Sequence, residues 1–336
     1  MSDNTMMEHS VMRSIINWLI LMAVILASVW IFGSREPAPL DVADVTLSPG
    51  LDLDHYLATR ENAIGDVAPE VQKQIVWADA PNTKTNVSIV YIHGFSASLM
   101  ELRPVPDRVA SALRANLFFT RLTGHGRGST AMQGGTVAAW MEDVGEALAI
   151  GRALGRKTIL MTTSTGGTLA AAAALDAAAM ADVAGIIFVS PNFALQNAAA
   201  PLLTWPYARH WVPLIVGDMR QSKPRNAQHG RYWTTRYPTV ALLPMAALVA
   251  AVDDAEFSAV TTPALFYFSP DDRVVRPDRT VEIAKKWGAP TRIITPQLTP
   301  QDDPLAHLVA GDIVSPGQTN FAVEQMLDWI RQITPR

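Results

Sequence analysis

The chain of 336 residues contains no cysteine. Disulfides, thiol nucleophiles and thiolate metal sites are therefore excluded outright. Charge is also sparse: 17% of residues are charged, and the formal net charge is only −4. With no excess of basic residues over the whole chain, nucleic acid is not an expected partner. A phosphate-cradling motif is missing as well. The Gly-rich run Thr123-Gly-His-Gly-Arg-Gly-Ser129 lacks both the P-loop spacing and its lysine, and reads as a loop lining a cleft.

What is present begins with an uncharged stretch, Ile15 to Gly33 (IINWLILMAVILASVWIFG). As a helix it would span roughly 28 Å, about one bilayer core. Trp18 and Trp30 lie toward its ends, where amphipathic rings favour the interface. Residues 1–14 form a short polar tail. The run is expected to be an uncleaved transmembrane signal anchor at 15–33, with a cleaved signal peptide and a buried core helix as the other readings. Arg13 before the span and Arg35 beside Glu36 after it lean toward a cytoplasmic amino terminus and an extracytoplasmic, periplasmic body. Residues 34–50, with Pro37, Pro39 and Pro49, read as a linker to a domain covering 51–336.

In that domain, apolar strand candidates alternate with helix candidates. The strands are Ile75–Ala78, Val87–Ile92, Leu117–Leu122, Thr158–Thr163, Gly185–Pro191, Pro263–Pro270 and Thr291–Ile294. Helices are expected over 51–64, 100–116, 138–154, 169–181, 277–287 and 321–333. Alternation with short links predicts α/β architecture, a parallel sheet with helices on both faces. Regularity fails over about 192–252, a stretch rich in Trp, Tyr and Pro. Arg209, Arg220, Lys223, Arg225, Arg231 and Arg236 meet only Asp218 there. It reads as a cap inserted over the carboxyl end of the sheet. Its cations either lean on anionic headgroups or are simply solvated. His210 and His229, within it, read as surface residues.

Chemistry concentrates where strands end. Ser164 stands between Thr158–Thr163 and an Ala-rich helix, in Thr162-Thr163-Ser164-Thr165-Gly166. A serine on a sharp strand-to-helix turn is a nucleophile elbow, here with Thr162 in place of the usual first glycine. Its turn aims the Thr165 N–H at the position of a developing oxyanion. His93-Gly94-Phe95 ends another strand, and the Phe95 N–H is the second oxyanion donor. His93 lies too early in the chain for the base and is expected to brace the loop. Two carboxylates follow the 263–270 strand; Asp272 is favoured as the triad acid by Asp-Arg-Val-Val, and Asp271 remains an alternative. His307 is the only histidine after Asp272. The order Ser164, Asp272, His307 is nucleophile, acid, base.

From about Val87 onward the chain resembles an α/β-hydrolase of the carboxylesterase and monoacylglycerol-lipase-like branch. The resemblance rests on His93-Gly94-Phe95, Ser164-Thr165-Gly166-Gly167, Asp272-Arg273-Val274-Val275 and His307. It implies an eight-stranded, mostly parallel sheet, a helical cap, and ester hydrolysis through an acyl-enzyme with no metal or cofactor. The expected substrate is a small-molecule or lipid ester, with the membrane as a further partner. An acyltransferase, a peptidase or a catalytically silent interaction protein on the same fold are the rival readings.

Overall fold

The computed structural model describes residues 2–334. Helix α1 (Ser2–Phe32) is followed by α2 (Leu53–Ile64), β1 (Gln74–Val76), β2 (Thr85–Ile92), α3 (Val105–Leu113), β3 (Asn116–Phe119) and α4 (Val137–Leu154). Then come β4 (Gly155–Thr163), α5 (Thr165–Ala174), β5 (Val183–Val189), α6 (Ala208–Val216), β6 (Met219–Gln221), α7 (Ala227–Tyr232) and β7 (Arg236–Pro238). The chain closes with α8 (Leu242–Asp253), β8 (Ala264–Tyr267), α9 (Pro277–Lys286), β9 (Thr291–Ile294) and α10 (Thr319–Ile333).

The main sheet has the order β1-β3-β2-β4-β5-β8-β9. Only β1 runs antiparallel to its neighbour. Alternate residues of each strand enter opposite cores, as the two-residue period of a strand requires. Val90, Ile92, Leu160, Phe188 and Phe266 pack with α4, α5, α8 and α9 on one face. Ile89, Tyr91, Met161, Ile187 and Tyr267 pack with α3 and α10 on the other. Both faces are covered, which is why these strands read as continuous apolar runs.

Seven strands form this sheet among the described residues, not the eight expected. Residues 34–50 supply no edge strand. Pro37 and Pro39 carry no amide hydrogen for a ladder. Instead Ala38, Leu40, Val42 and Leu47 lie against the core on the face covered by α4, α5, α8 and α9. The expected linker is therefore a strap laid along the body.

Residues Met12–Phe32 are long and apolar enough to cross a membrane, and none of that span is buried. A core helix is thereby ruled out for it. At its end the chain grips the insertion that follows β5. Trp30 and Trp205 meet edge to face at 5.4 Å. The Tyr207 N–H donates to Ser34 O at 2.7 Å. Arg35 donates to the carbonyls of Trp30 and Thr204, and Arg209 pairs with Glu36.

The region 192–252 has two parts. Residues up to β7 leave the sheet and include the separate hairpin β6–β7. Helix α8 returns to the core through Met245, Leu248, Val249 and Val252. Of the six cations noted there, Arg209, Arg225 and Arg231 pair with Glu36, Asp303 and Glu70.

Candidate active site

Strand β4 delivers Ser164 to the carboxyl end of the sheet, and α5 begins at the next residue. Ser164 has φ +51° and ψ −117°. A side-chain-bearing residue occupies that region only when its surroundings impose it. The imposing contact is Gly166, where any Cβ would lie 2.3 Å from Ile92 O and 2.7 Å from His93 O. Helix α5 thus starts directly against the end of β2, which only glycine permits. Thr162 does not crowd this turn. It is fully buried, and its hydroxyl donates to Ile187 O of β5 at 2.9 Å.

His307 reaches Ser164 from the loop after β9. Its Nε2 lies 3.1 Å from Ser164 Oγ, and its Nδ1 lies 2.8 Å from Asp272 Oδ2. The carboxylate can only accept, so Nδ1 carries the proton and Nε2 is left to accept from the serine hydroxyl. Asp272 follows β8. Its other oxygen accepts the N–H groups of Val274 and Val275, at 2.8 and 3.0 Å. Asp271 is exposed and its side chain makes no such contact, so the geometry selects Asp272 over Asp271 as the partner of His307. Ser164, Asp272 and His307 are all buried. Burial alone would push the His307 imidazole down. The hydrogen bond and charge of Asp272 outweigh it, with Glu101 and Asp303 adding to them, and raise the group above the ordinary histidine value.

Two backbone donors flank this chain of hydrogen bonds. Thr165 is the first residue of α5, where amide groups have no intrahelical acceptor. Phe95 follows Gly94 at the end of β2. A Cβ on Gly94 would sit 3.0 Å from Ser164 Cβ, so this loop lies directly against the serine. The Phe95 ring is held by His125 and Trp140 and by Tyr237 of β7, with centroids at 5.7, 6.4 and 5.4 Å. Trp140 itself is fully buried and donates to Thr123 O. His93 braces the loop as expected. Its Nε2 accepts the Leu122 N–H, so its Nδ1 proton goes to Gly94 O at 2.8 Å. Burial, then the neighbouring His125, pushes it well below the usual histidine range, and it stays neutral.

Three supporting residues were not singled out from the sequence. Glu101 is buried under the loop, and its Oε2 accepts the Gly94 N–H at 2.7 Å and the Tyr91 hydroxyl at 3.2 Å. Burial pushes its carboxyl up to about 7, against the lowering effect of the Gly94 N–H. Asp303 accepts the N–H groups of His307 and Leu308, and Arg225 of the insertion pairs with it. Gln196 donates to Asp272 O at 2.8 Å. The signal for Asp303 was its place four residues before His307 in Asp-Pro, an Asx-turn setting. His229 is a correction: it is buried and stacks on Trp233 at 4.6 Å. Trp233 joins Ala97 and Leu308 in one apolar cluster, so the insertion rests on both active-site loops. No group of acidic or histidine side chains suited to a metal occurs among the described residues.

A sequence model of the serine aminopeptidase, S33, family matches residues 83–296, well over half of the chain. The chain belongs to this family of α/β hydrolases. The match takes in Ser164 and Asp272, while His307 lies beyond its end. Solved structures of the family's fold are similar in shape and distant in sequence. One, described with the metagenome-derived lipolytic enzymes LipS and LipT, has 18% identity and a TM-score of 0.64, covering 79% of this chain and 99% of that one. A monoglyceride lipase from Saccharomyces cerevisiae, a soluble variant, has 13% identity and a TM-score of 0.57, covering 79% and 92%. A Paleococcus ferrophilus monoacylglycerol lipase has 14% identity and a TM-score of 0.55, covering 79% and 100%. No curated protein matches the chain.

Proposed function

We propose that the protein is a membrane-anchored serine hydrolase that cleaves carboxylic esters through an acyl-enzyme on Ser164. The observation that carries this reading is the continuous hydrogen-bond chain from Ser164 Oγ through His307 to Asp272. In the first step Ser164 Oγ attacks the acyl carbon and its proton passes to His307 Nε2. Asp272 keeps the imidazole in the accepting tautomer and stabilises the imidazolium. The N–H groups of Phe95 and Thr165 hold the developing oxyanion; one such donor is worth about 3 kcal/mol. The carbon–oxygen bond to the alcohol then breaks, and His307 returns the proton to the departing oxygen. Water repeats the sequence on the acyl-enzyme and releases the acid.

Short- to medium-chain acyl esters and monoacylglycerol-like lipids are the proposed substrates. Three fold neighbours described as lipolytic enzymes support that choice, as does the apolar span Met12–Phe32, which would hold the body beside a lipid surface. The proposed orientation has the body on the extracytoplasmic side. The family's description favours one rival, a peptidase. A panel of p-nitrophenyl esters of rising chain length against aminoacyl p-nitroanilides separates the two. Turnover confined to esters supports the proposal, and turnover confined to anilides overturns it.

A further inference from the structure

Helix α6 is packed on one side and bare at its end. Ala208 and Val212, one turn apart, bury against Leu243. Leu214, Ile215 and Val216 instead stand 85%, 72% and 47% exposed. Single exposed apolar side chains need no explanation. Three in a row at a helix end, reached through a surface that also exposes Trp205 and Tyr207, form a patch.

The patch has a fixed relation to α1. Trp205 rests on Trp30, and the Tyr207 N–H is bound to Ser34 O. Trp30 lies two residues before the end of the apolar span, at the level where a spanning helix leaves the hydrocarbon. Helix α6 begins at the residue after Tyr207, and its nine residues extend about 14 Å. The bare end is therefore within reach of the surface that α1 crosses.

We propose that Leu214, Ile215 and Val216 insert into the headgroup boundary of the leaflet from which α1 emerges, giving the body a second membrane contact. This rests on the anchor reading of α1. Interfacial helices bury an apolar face in this way, with polar groups left in the headgroups. Arg209, paired with Glu36, and the exposed His210 supply that polar rim. With two contacts the body cannot swing freely about residues 33–36. The insertion, which rests on the Phe95 and His307 loops, is held toward the bilayer, and the ester substrates of this site would be drawn from that leaflet.

Because the chain has no cysteine, single labels can be placed cleanly. The test uses the full chain in phosphatidylcholine–phosphatidylglycerol vesicles, with an NBD fluorophore on Leu214→Cys or on Lys157→Cys. Lys157 is exposed near the start of β4, about 20 Å of strand away from Ser164. Lipids spin-labelled near the headgroup should quench the label at 214 by about half or more and leave that at 157 unchanged. A carbonate-resistant, vesicle-bound chain with neither or both labels quenched overturns the docking and leaves the anchor standing. A chain that fails to float with vesicles overturns both. In the same vesicles, Leu214→Glu with Ile215→Glu should keep turnover of a short soluble ester and lose about fivefold or more on a bilayer-embedded monoacyl ester. Equal rates on both substrates would also overturn it.

Discussion

Glu101 Oε2 accepts the Gly94 N–H at 2.7 Å, so a buried carboxylate holds the loop whose next residue is Phe95. The same charge favours the protonated form of His307. One side chain thus bears on the proposed oxyanion loop and on the proposed base.

The first consequence concerns pH. His307 must be neutral to accept a proton, so kcat/KM should rise through its titration. In Glu101→Gln an amide oxygen can still accept from Gly94, but the negative charge that Glu101 carries from about pH 7 upward is gone. The acid limb of the kcat/KM profile should move to lower pH, by less than about one unit. An unmoved limb would show that Glu101 has no electrostatic hold on His307. Stability has its own sign. Between 4.5 and about 7 the folded protein keeps a proton on Glu101 that the unfolded chain has lost. The group's contribution therefore falls as pH rises through that window, and Glu101→Gln should flatten the corresponding slope in unfolding free energy.

Asp272→Asn should lower kcat by about 10⁴ with the fold intact, because an amide no longer selects the accepting tautomer. Asp271→Asn should remain near wild type, since Asp271 is exposed and does not touch His307. Steady-state kinetics on one ester decide between them; equal losses would reverse the choice of acid.

Thr162→Gly would restore the usual elbow sequence, yet it should be destabilising by about 1–2 kcal/mol without raising kcat. It removes a buried hydrogen bond to Ile187 O and puts glycine inside a central strand. Thermal unfolding in detergent measures the first part and ester turnover the second. A faster enzyme would mean that Thr162 strains the turn after all.

Legibility followed position in the chain. Ser164, Asp272 and His307, which the structure brings into contact, could be singled out because each stands beyond a strand end, and chain order suggested the roles proposed for them. The central strands were legible for the same reason that they are buried on both faces: their apolar runs are continuous. Glu101 was hidden in a segment read as one helix, 100–116. Pro104 interrupts it as the N-cap of α3, with Pro106 in the first turn of that helix, and leaves a separate short turn at Leu99–Glu101. The turn lets Glu101 point inward under Gly94. The eighth strand was expected from the family resemblance alone and no apolar run in the sequence was assigned to it; residues 34–50, read as a linker, pack partly buried apolar side chains on the core without joining the sheet. His229 looked solvent-facing among the cations around it; stacking on Trp233 decided its burial, and no local pattern encodes that contact.

Lys73 is a buried cation held by Asp143 at 2.9 Å and by Glu146. Burial disfavours its charge, but the two carboxylates outweigh it and keep the ammonium protonated. Asp143 also accepts the Thr123 N–H and so fixes the Gly-rich loop. Lys73→Met leaves the buried Asp143 without a cation, while Glu146 keeps Arg60 and the Tyr56 hydroxyl, and should cost about 3 kcal/mol. Chemical denaturation of the full chain measures it; a loss under about 1 kcal/mol would mean that the carboxylates find other partners.

The proposed role of Ser164 is tested most directly by a fluorophosphonate, which reacts only with an activated serine. Intact protein is treated with the probe, digested, and the adduct located by mass spectrometry, with Ser164→Ala and His307→Ala alongside. The expected result is one phosphonyl adduct on Ser164 of the wild type, none in Ser164→Ala, and labelling slowed by about 10³-fold or more in His307→Ala. A folded wild type that stays unlabelled, or labelling that persists at another residue in Ser164→Ala, would contradict the assignment of Ser164 as the nucleophile.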